Sequence, residues 1–254
     1  MGLKYAVGLP TVGEFGNVGV LTDLAVSAEQ HGWDGVQLWD HLLYHEPGWP
    51  VASSTVTAAA IAARTSRLRI ILTVVLPRRQ VQDVAQDTAA IAALSGGRLT
   101  VVGAIGSMEE EYAAFGLDPD LRARGRALDE RLGRLTGLWS DWGVDRVPIW
   151  CGARWPNRPG LRRAARFDGV MPTFADQRLR NVAVADLAEA AAYVRRLSTG
   201  QPDLAVEGAT DPARAAEQIA PYGDVGLSWW IEALGWWRGD RATAATRIAA
   251  GPPS

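Results

Sequence analysis

The sequence predicts a (β/α)8 barrel, the α/β fold in which eight parallel strands close on themselves and a helix follows each strand. Three observations point to it. The first is the stretch Arg69 to Gly106, which reads as one strand–helix–strand unit. An apolar run from Ile70 to Leu76 is closed by Pro77. A segment with Val81, Val84, Ala85, Thr88, Ile91 and Ala92 at helical spacing follows, Ser95-Gly96-Gly97 breaks it, and a second apolar run from Leu99 to Val102 leads into Gly103. Runs without alternation are buried on both faces, as parallel strands are. A right-handed crossover then brings their carboxyl ends to one rim. The second observation is that such units recur about eight times along the chain. The third is length: 254 residues is close to the ~250 typical of the fold. No Gly-x-Gly-x-x-Gly follows the first strand, which argues against an open dinucleotide-binding sheet. No linker or low-complexity segment interrupts the pattern, so residues 1–254 are expected to form one domain.

Taken in order, Lys4 to Pro10 is a short apolar strand, followed by a helix with Leu21, Leu24, Ala25 and Ala28 on one face and His31-Gly32 at its end. Val36 to Trp39 is strand two and delivers Asp40-His41. An aromatic loop with Tyr44, Trp49 and Pro50 leads to an alanine-rich helix from Ser54 to Arg64. The unit above supplies strands three and four. Glu109 to Phe115 forms a short helix, and Arg124 to Trp139 a longer one with Leu128, Leu132, Leu135 and Leu138 in register. Strand five is Val147 to Cys151, followed by a helix at Arg162 to Arg166; strand six is Gly169 to Met171. A helix with Val184, Leu187, Ala188, Ala191 and Val194 precedes strand seven, Leu204 to Val206. Pro212 opens the next helix at its favoured first position. Strand eight is Val225 to Ile231, and Ala242 to Ala249 is the last helix.

Composition narrows the function. A net charge of −2 gives no electrostatic reason to expect nucleic acid or an anionic membrane as partner. The single cysteine, Cys151, has no partner for an internal disulfide, which suits a reducing compartment. No apolar run approaches the roughly 20 residues a bilayer requires. The first residues are too short and glycine-broken for a signal peptide, so a soluble cytoplasmic protein is expected. Lys4 is the only lysine and stands at the start of strand one, away from the rim where barrel enzymes place their sites, which excludes Schiff-base chemistry. The histidines are His31, His41 and His45, with no His-x-His ending the first strand, so no metal site is expected. Paired carboxylates remain: one of Glu109 to Glu111 with Glu207 would serve a glycosidase, tryptophans among the 11 in the chain stacking on sugars.

Several motifs, weak singly but ordered along most of the chain, decide among these classes. They are Gly32-Trp33-Asp34-Gly35-Val36-Gln37-Leu38-Trp39-Asp40-His41, Thr65-Ser66-Arg67-Leu68-Arg69, Thr73-Val74-Val75-Leu76-Pro77 and Leu94-Ser95-Gly96-Gly97-Arg98-Leu99. Glu111 to Gly116, Arg124 to Glu130, Pro148 to Gly152 and Arg163 to Val170 complete the set. On these residues the chain resembles the bacterial luciferase-like flavin monooxygenase superfamily, some of whose members use the deazaflavin coenzyme F420 in place of FMN.

The resemblance implies an oxidoreductase acting on a small organic molecule, by monooxygenation with FMN or hydride transfer with F420. It implies Asp40 and His41 as a catalytic pair, orienting the ring and moving a proton. It also implies a bulged third strand with a non-proline cis peptide at Thr73–Val74 behind the ring. Gly103 and Gly106 would approach the ring, Gly152, Ala153 and Arg154 would offer amides and a guanidinium to the cofactor phosphate, and Trp230 would line the pocket, one of Trp229 and Trp230 facing in and the other out. Two departures stand out. Only Ser140 to Arg146 remains of an insertion usually longer, and Ala153 replaces a frequent second glycine. A non-catalytic flavin-binding relative is therefore a further reading. A flavin reductase or F420-reducing enzyme as partner and a homodimer are what the family implies.

Overall fold

The computed structural model describes residues 2–44 and 46–253. Among them, the strands β1 (Lys4–Leu9), β2 (Gly35–Leu38), β3 (Arg69–Val75), β4 (Leu99–Ala104), β5 (Ile149–Arg154), β6 (Gly169–Thr173), β7 (Asp203–Gly208) and β8 (Trp229–Ala233) close into a barrel in sequence order. All pairs are parallel, and β1 and β8 complete the ring through Tyr5↔Trp230 and Gly8↔Ala233. The helices are α1 (Val18–Gln30), α2 (Ser54–Arg64), α3 (Val81–Leu94), α4 (Glu110–Ala113), α5 (Leu121–Asp141), α6 (Arg158–Ala164), α7 (Val184–Leu197), α8 (Ala215–Gly223) and α9 (Arg241–Ala249). Several start where a polar side chain accepts an otherwise unpaired amide. Asn17 takes the amide of Val20, Asp120 that of Ala123 and Asp240 that of Thr243.

The period-two alternation of each strand sorts its residues into two apolar layers. Outward-facing residues such as Leu9, Val36, Leu38, Leu72, Val74, Val101 and Val206 pack beneath the helices. Inward-facing Ala6, Ile71, Val102, Trp150, Met171, Ala205, Trp229 and Ile231 fill the barrel. The rings of Trp150 and Trp229 lie 6.0 Å apart and plug its lower half. One inward position further along, the residues are smaller or polar: Gly8, Thr73, Ala104, Gly152, Thr173 and Glu207. Except for Gly8, these are only partly buried. The barrel thus ends at its carboxyl rim in a shallow cup.

Some boundaries differ from expectation. β5 starts at Ile149 and runs on to Arg154, because its ladder with β6 continues through Ala153↔Pro172 and Arg154↔Thr173. Its ladder with β4 ends earlier, at Gly103↔Cys151, so the β4-facing edge of Gly152 to Arg154 is open. β8 starts at Trp229, not Val225, because Gly226 turns the chain at φ +71. α5 ends at Asp141, leaving only residues 142–148 before β5. The cis peptide expected at Thr73–Val74 is not there. Among the described residues the one cis bond is Trp155–Pro156, and β3 stays in register with β4 through Val75↔Ala104. An unbroken ladder leaves no bulge to accommodate.

Candidate active site at the barrel mouth

β2 is short: its ladder with β3 ends at Leu38↔Leu72, so the last residues of β3 have no strand on that side. Asp40 fills the gap. Its Oδ2 accepts the Val75 amide at 2.7 Å, and Arg79 Nη2 donates to Oδ1 at 2.6 Å. The side chain is 2% exposed. Asp40 is therefore a strut between the ends of β2 and β3, and its hydrogen bonds go to Val75 and Arg79 and not to His41. Successive residues of an extended chain point to opposite sides, which is why two adjacent groups seldom share one site.

His41 pairs instead with Glu111 of α4. Its Nδ1 lies 3.1 Å from Glu111 Oε1, with the His41 side chain 13% exposed and that of Glu111 fully buried. The same oxygen accepts the amides of Leu42 and Leu43, at 2.5 and 3.1 Å. Arg78 approaches from the turn after β3, its Nη1 2.7 Å from Glu111 Oε2. This contact is an ion pair and not an aligned hydrogen bond. Burial opposes ionisation of Glu111, but the hydrogen bond and charge of His41, the charge of Arg78 and the Leu42 amide outweigh it. Its carboxyl is held below the usual range. An ionised carboxylate only accepts, so Nδ1 carries the proton, and neutral His41 keeps a bare Nε2. Among the described residues Nε2 makes no hydrogen bond.

Across the mouth, Glu207 of β7 accepts from Trp39 Nε1 at 3.2 Å. Burial raises its pKa, against the pull of Trp39, Arg178, Arg238 and His41. The roof is aromatic. Trp237 stacks on Trp39, with centroids 5.3 Å apart and planes 15° from parallel. Trp236 meets Trp39, Tyr44 and Trp49 edge-on. The Arg178 guanidinium lies over four of these rings, between 5.1 and 6.0 Å from their centroids. Two open grooves, of about 410 Å³ and about 220 Å³, flank α9.

The remaining expected residues divide between cup and core. Thr73 faces the cup, its hydroxyl accepting from Gln37 Nε2 at 2.8 Å. Val74, its neighbour, faces outward into the helix layer. Gly103 also faces outward: a Cβ there would stand 3.1 Å from Leu132, so its role is to admit α5. Gly106 turns the chain beyond β4 at φ +72, and its carbonyl accepts from Arg124. Gly152 faces the cup. Ala153 faces outward against Gly160 of α6, whose own Cβ would lie 2.9 Å from it. Arg154 is exposed at the open edge of β5. Trp230 is fully buried outside the barrel, against Tyr222 at 5.4 Å, and donates to Glu232. The pocket assignment of Trp230 is thus corrected, and Trp229 is the inward one, low in the barrel.

The paired-carboxylate arrangement is not met. Glu109 and Glu110 are exposed, and Glu111 is locked by Arg78 and two amides. His45 lies outside the described residues. Glu111 and Arg78 as partners of His41 were missed, because they come from two other elements. The one available signal was that Glu111 opens a motif of the resemblance.

A model of the luciferase-like monooxygenases matches residues 8–233. The chain belongs to the luciferase-like monooxygenase family. Over 176 residues it is 31% identical to an F420-dependent glucose-6-phosphate dehydrogenase of Nakamurella multipartita, covering 60% of this chain and 51% of that protein. The chain thus spans about half the length of that relative. An F420-dependent secondary alcohol dehydrogenase in complex with an F420–acetone adduct superposes with TM-score 0.75 at 16% identity, over 92% of this chain and 93% of that one. The FMN-bound oxygenating constituent of 3,6-diketocamphane monooxygenase from Pseudomonas putida gives 0.69 at 15% identity, over 88% and 73%. These two likenesses show the shared barrel.

Proposed function

We propose that the protein is an oxidoreductase that holds F420 or FMN in the cup at the barrel mouth and acts on a small organic substrate, with His41 as the group that moves the proton. The observation that carries this reading is the Glu111-held imidazole beside a cup of small residues, in a chain of this family. The cup suits a planar ring. Where Gly152 would bear a Cβ, the nearest atom is Ala104 Cβ at 3.6 Å, ordinary contact distance. Thr73, accepting from Gln37, keeps its own proton to donate. Ala104, Gly152 and Thr173 would form the floor, and Trp39 a wall. The open β5 edge with Arg154 would receive an anionic tail.

The bound ring would supply the redox chemistry, hydride transfer with the deazaflavin or oxygen activation with FMN. The chain's own part is acid–base and electrostatic. His41 presents Nε2 as base or, once protonated, as acid. Glu207, whose pKa burial raises, is the second group at the mouth that would carry a proton. Trp39, donating to Glu207 and in edge contact with the His41 ring at 5.6 Å, keeps both in place. A cytoplasmic setting fits: no helix among the described residues is long and apolar enough to cross a membrane. A flavin reductase or F420-reducing enzyme as partner and a homodimer belong to the same proposal.

The test is an anaerobic titration with FMN and with F420, followed by cofactor and indole fluorescence. Micromolar or tighter binding of either supports the reading and separates the two cofactors. Binding of neither, in folded protein, overturns it. The non-catalytic alternative draws support from the Trp237–Trp39 stack over the mouth, and bound cofactor that no donor reduces would favour it.

A further inference from the structure

The charge network behind His41 contains one group whose position is explained by neither packing nor a single partner. Arg78 is 2% exposed and reaches two elements. Nη2 donates to the main-chain carbonyl of Asp40 at 2.6 Å, one residue before His41. Nη1 lies 2.7 Å from the Glu111 oxygen opposite the one that receives His41 Nδ1. Nη2 is also 3.5 Å from Asp40 Oδ2, while Nε is buried without a partner. One guanidinium thus holds both the backbone that delivers His41 and the carboxylate on which its ring leans.

We propose that Arg78 is a positioning residue for His41: it fixes the ring orientation through Glu111 and makes the imidazole the one group of the network whose charge is free to change. The charges support this. Asp40 is matched by Arg79 at 2.6 Å, and Glu111 by Arg78 at 2.7 Å. These four groups sum to zero, so a proton on His41 adds a net charge to a largely buried cluster. Without Arg78 the cluster is left with one excess negative charge, which holds the His41 proton more tightly. Among the described residues, the ring is also faced by Trp39 and Tyr44, with centroids 5.6 and 4.4 Å away, and by Glu207, which feels the His41 charge from β7. None of these is replaced with Arg78. This inference rests on His41 as the proton-moving group, but it concerns only the chain's own side chains.

The experiment is a pH titration of the histidine ring nitrogens by ¹⁵N NMR on cofactor-free protein, with His31→Gln and His45→Gln used to assign His41. In wild type the neutral ring should show the Nδ1–H tautomer. Arg78→Met and Arg78→Gln should raise the His41 midpoint by about one unit or more, a roughly tenfold gain in proton affinity. Arg78→Lys should give a smaller rise, since it keeps the charge but cannot span both partners. Arg79→Met is the control: it removes a guanidinium from the same cluster but not from Glu111, and should move the midpoint much less. If Arg78→Met fails to fold, the Lys and Gln variants carry the comparison. An unmoved midpoint, or equal shifts for Arg78 and Arg79 variants, would overturn the inference. Failure of cofactor binding in the separate titration would overturn the proposed function and leave this result standing.

Discussion

At the scale of single residues, the chain separates two roles that its sequence writes side by side. Asp40 and His41 are adjacent, yet Asp40 is a buried strut on Val75 and Arg79, and His41 belongs to a different set with Glu111 and Arg78. This separation has a kinetic consequence. His41→Asn should leave folding and cofactor affinity close to wild type and slow single turnover by roughly 10²–10⁴-fold, the usual share of general acid–base catalysis. Stopped-flow single turnovers alongside a cofactor titration check it. A rate unchanged across neutral pH would remove His41 from the chemistry, and weakened binding with an intact rate would make it a packing residue. Asp40→Asn, by contrast, should act on stability, because it leaves Arg79 and the buried Val75 amide less well compensated.

Among the elements, the segment that follows β8 has the most direct bearing on the mouth. Gly235 and Gly239 frame Trp236-Trp237-Arg238 at φ +158 and +131, and a Cβ at Gly235 would lie 2.2 Å from the Trp237 ring. The loop therefore needs glycine at that end to fold Trp237 down onto Trp39. Trp237 also has its indole nitrogen buried without a hydrogen bond, a cost that makes its seat a shallow one. An aromatic stack of this kind contributes about 0.5–1.5 kcal/mol. Trp237→Ala should accordingly tighten FMN or F420 binding by up to about tenfold if the ring takes the freed face of Trp39. Isothermal titration of both proteins measures it, and weaker binding in the variant would make Trp237 a wall of the site and not a cover. Elsewhere the elements meet through missing side chains. α6 lies against β5 because Gly160 faces Ala153, and Trp230 lies over β7 because Gly208 leaves room for its ring.

For the molecule as a whole, the carboxylates that hold loops together set its response to acid. Glu29 in α1 accepts the amides of Ser66, Arg67 and Leu68, between 2.6 and 3.2 Å, and so fastens the turn before β3. Burial works against its charge, but these amides and the Arg67 charge prevail and lower its pKa from the usual 4.5. Glu111 and Asp129 are lowered in the same way, Asp129 by Arg163 and Arg166 against its own burial. For a group lowered in the folded state, the stabilisation is complete above its unfolded pKa and is lost as pH falls through the folded one. Glu207 is raised, so it works in the opposite sense and costs stability as pH climbs past its unfolded value. Stability should therefore fall steeply below about pH 4.5. Glu29→Gln should lower the melting temperature at pH 7 by roughly 2–4 °C, the effect of about 1 kcal/mol on a chain of this size. The difference from wild type should shrink as pH falls through the lowered pKa of Glu29, where the carboxylate takes up a proton. Thermal unfolding at several pH values tests this, and a pH-independent difference would mean that the amides, not the charge, are what Glu29 contributes.

The sequence by itself determined the barrel. Unalternating short runs such as Ile70 to Leu76, alternating with helical segments, read as buried parallel strands, and glycine and proline punctuation marks where each strand stops, so the order and count of the units were legible. It also placed His41, Thr73 and Gly152 at the carboxyl rim, where the structure has them. What it left undecided was which way side chains point and what they meet. A one-residue step reverses the face of a strand, which is why Val74, Gly103, Ala153 and Trp230 turn to the helices while Thr73, Ala104, Gly152 and Trp229 beside them turn into the barrel. The partner of His41 depended on more than a step: Glu111 lies 70 positions away and Arg78 approaches from a third segment, so only closure of the barrel brings the three together. Periodicity is a local property and survives in the sequence. A buried charge network is assembled from distant segments, because each of its members is stable only when the others are in place, and that condition is met in the tertiary structure alone.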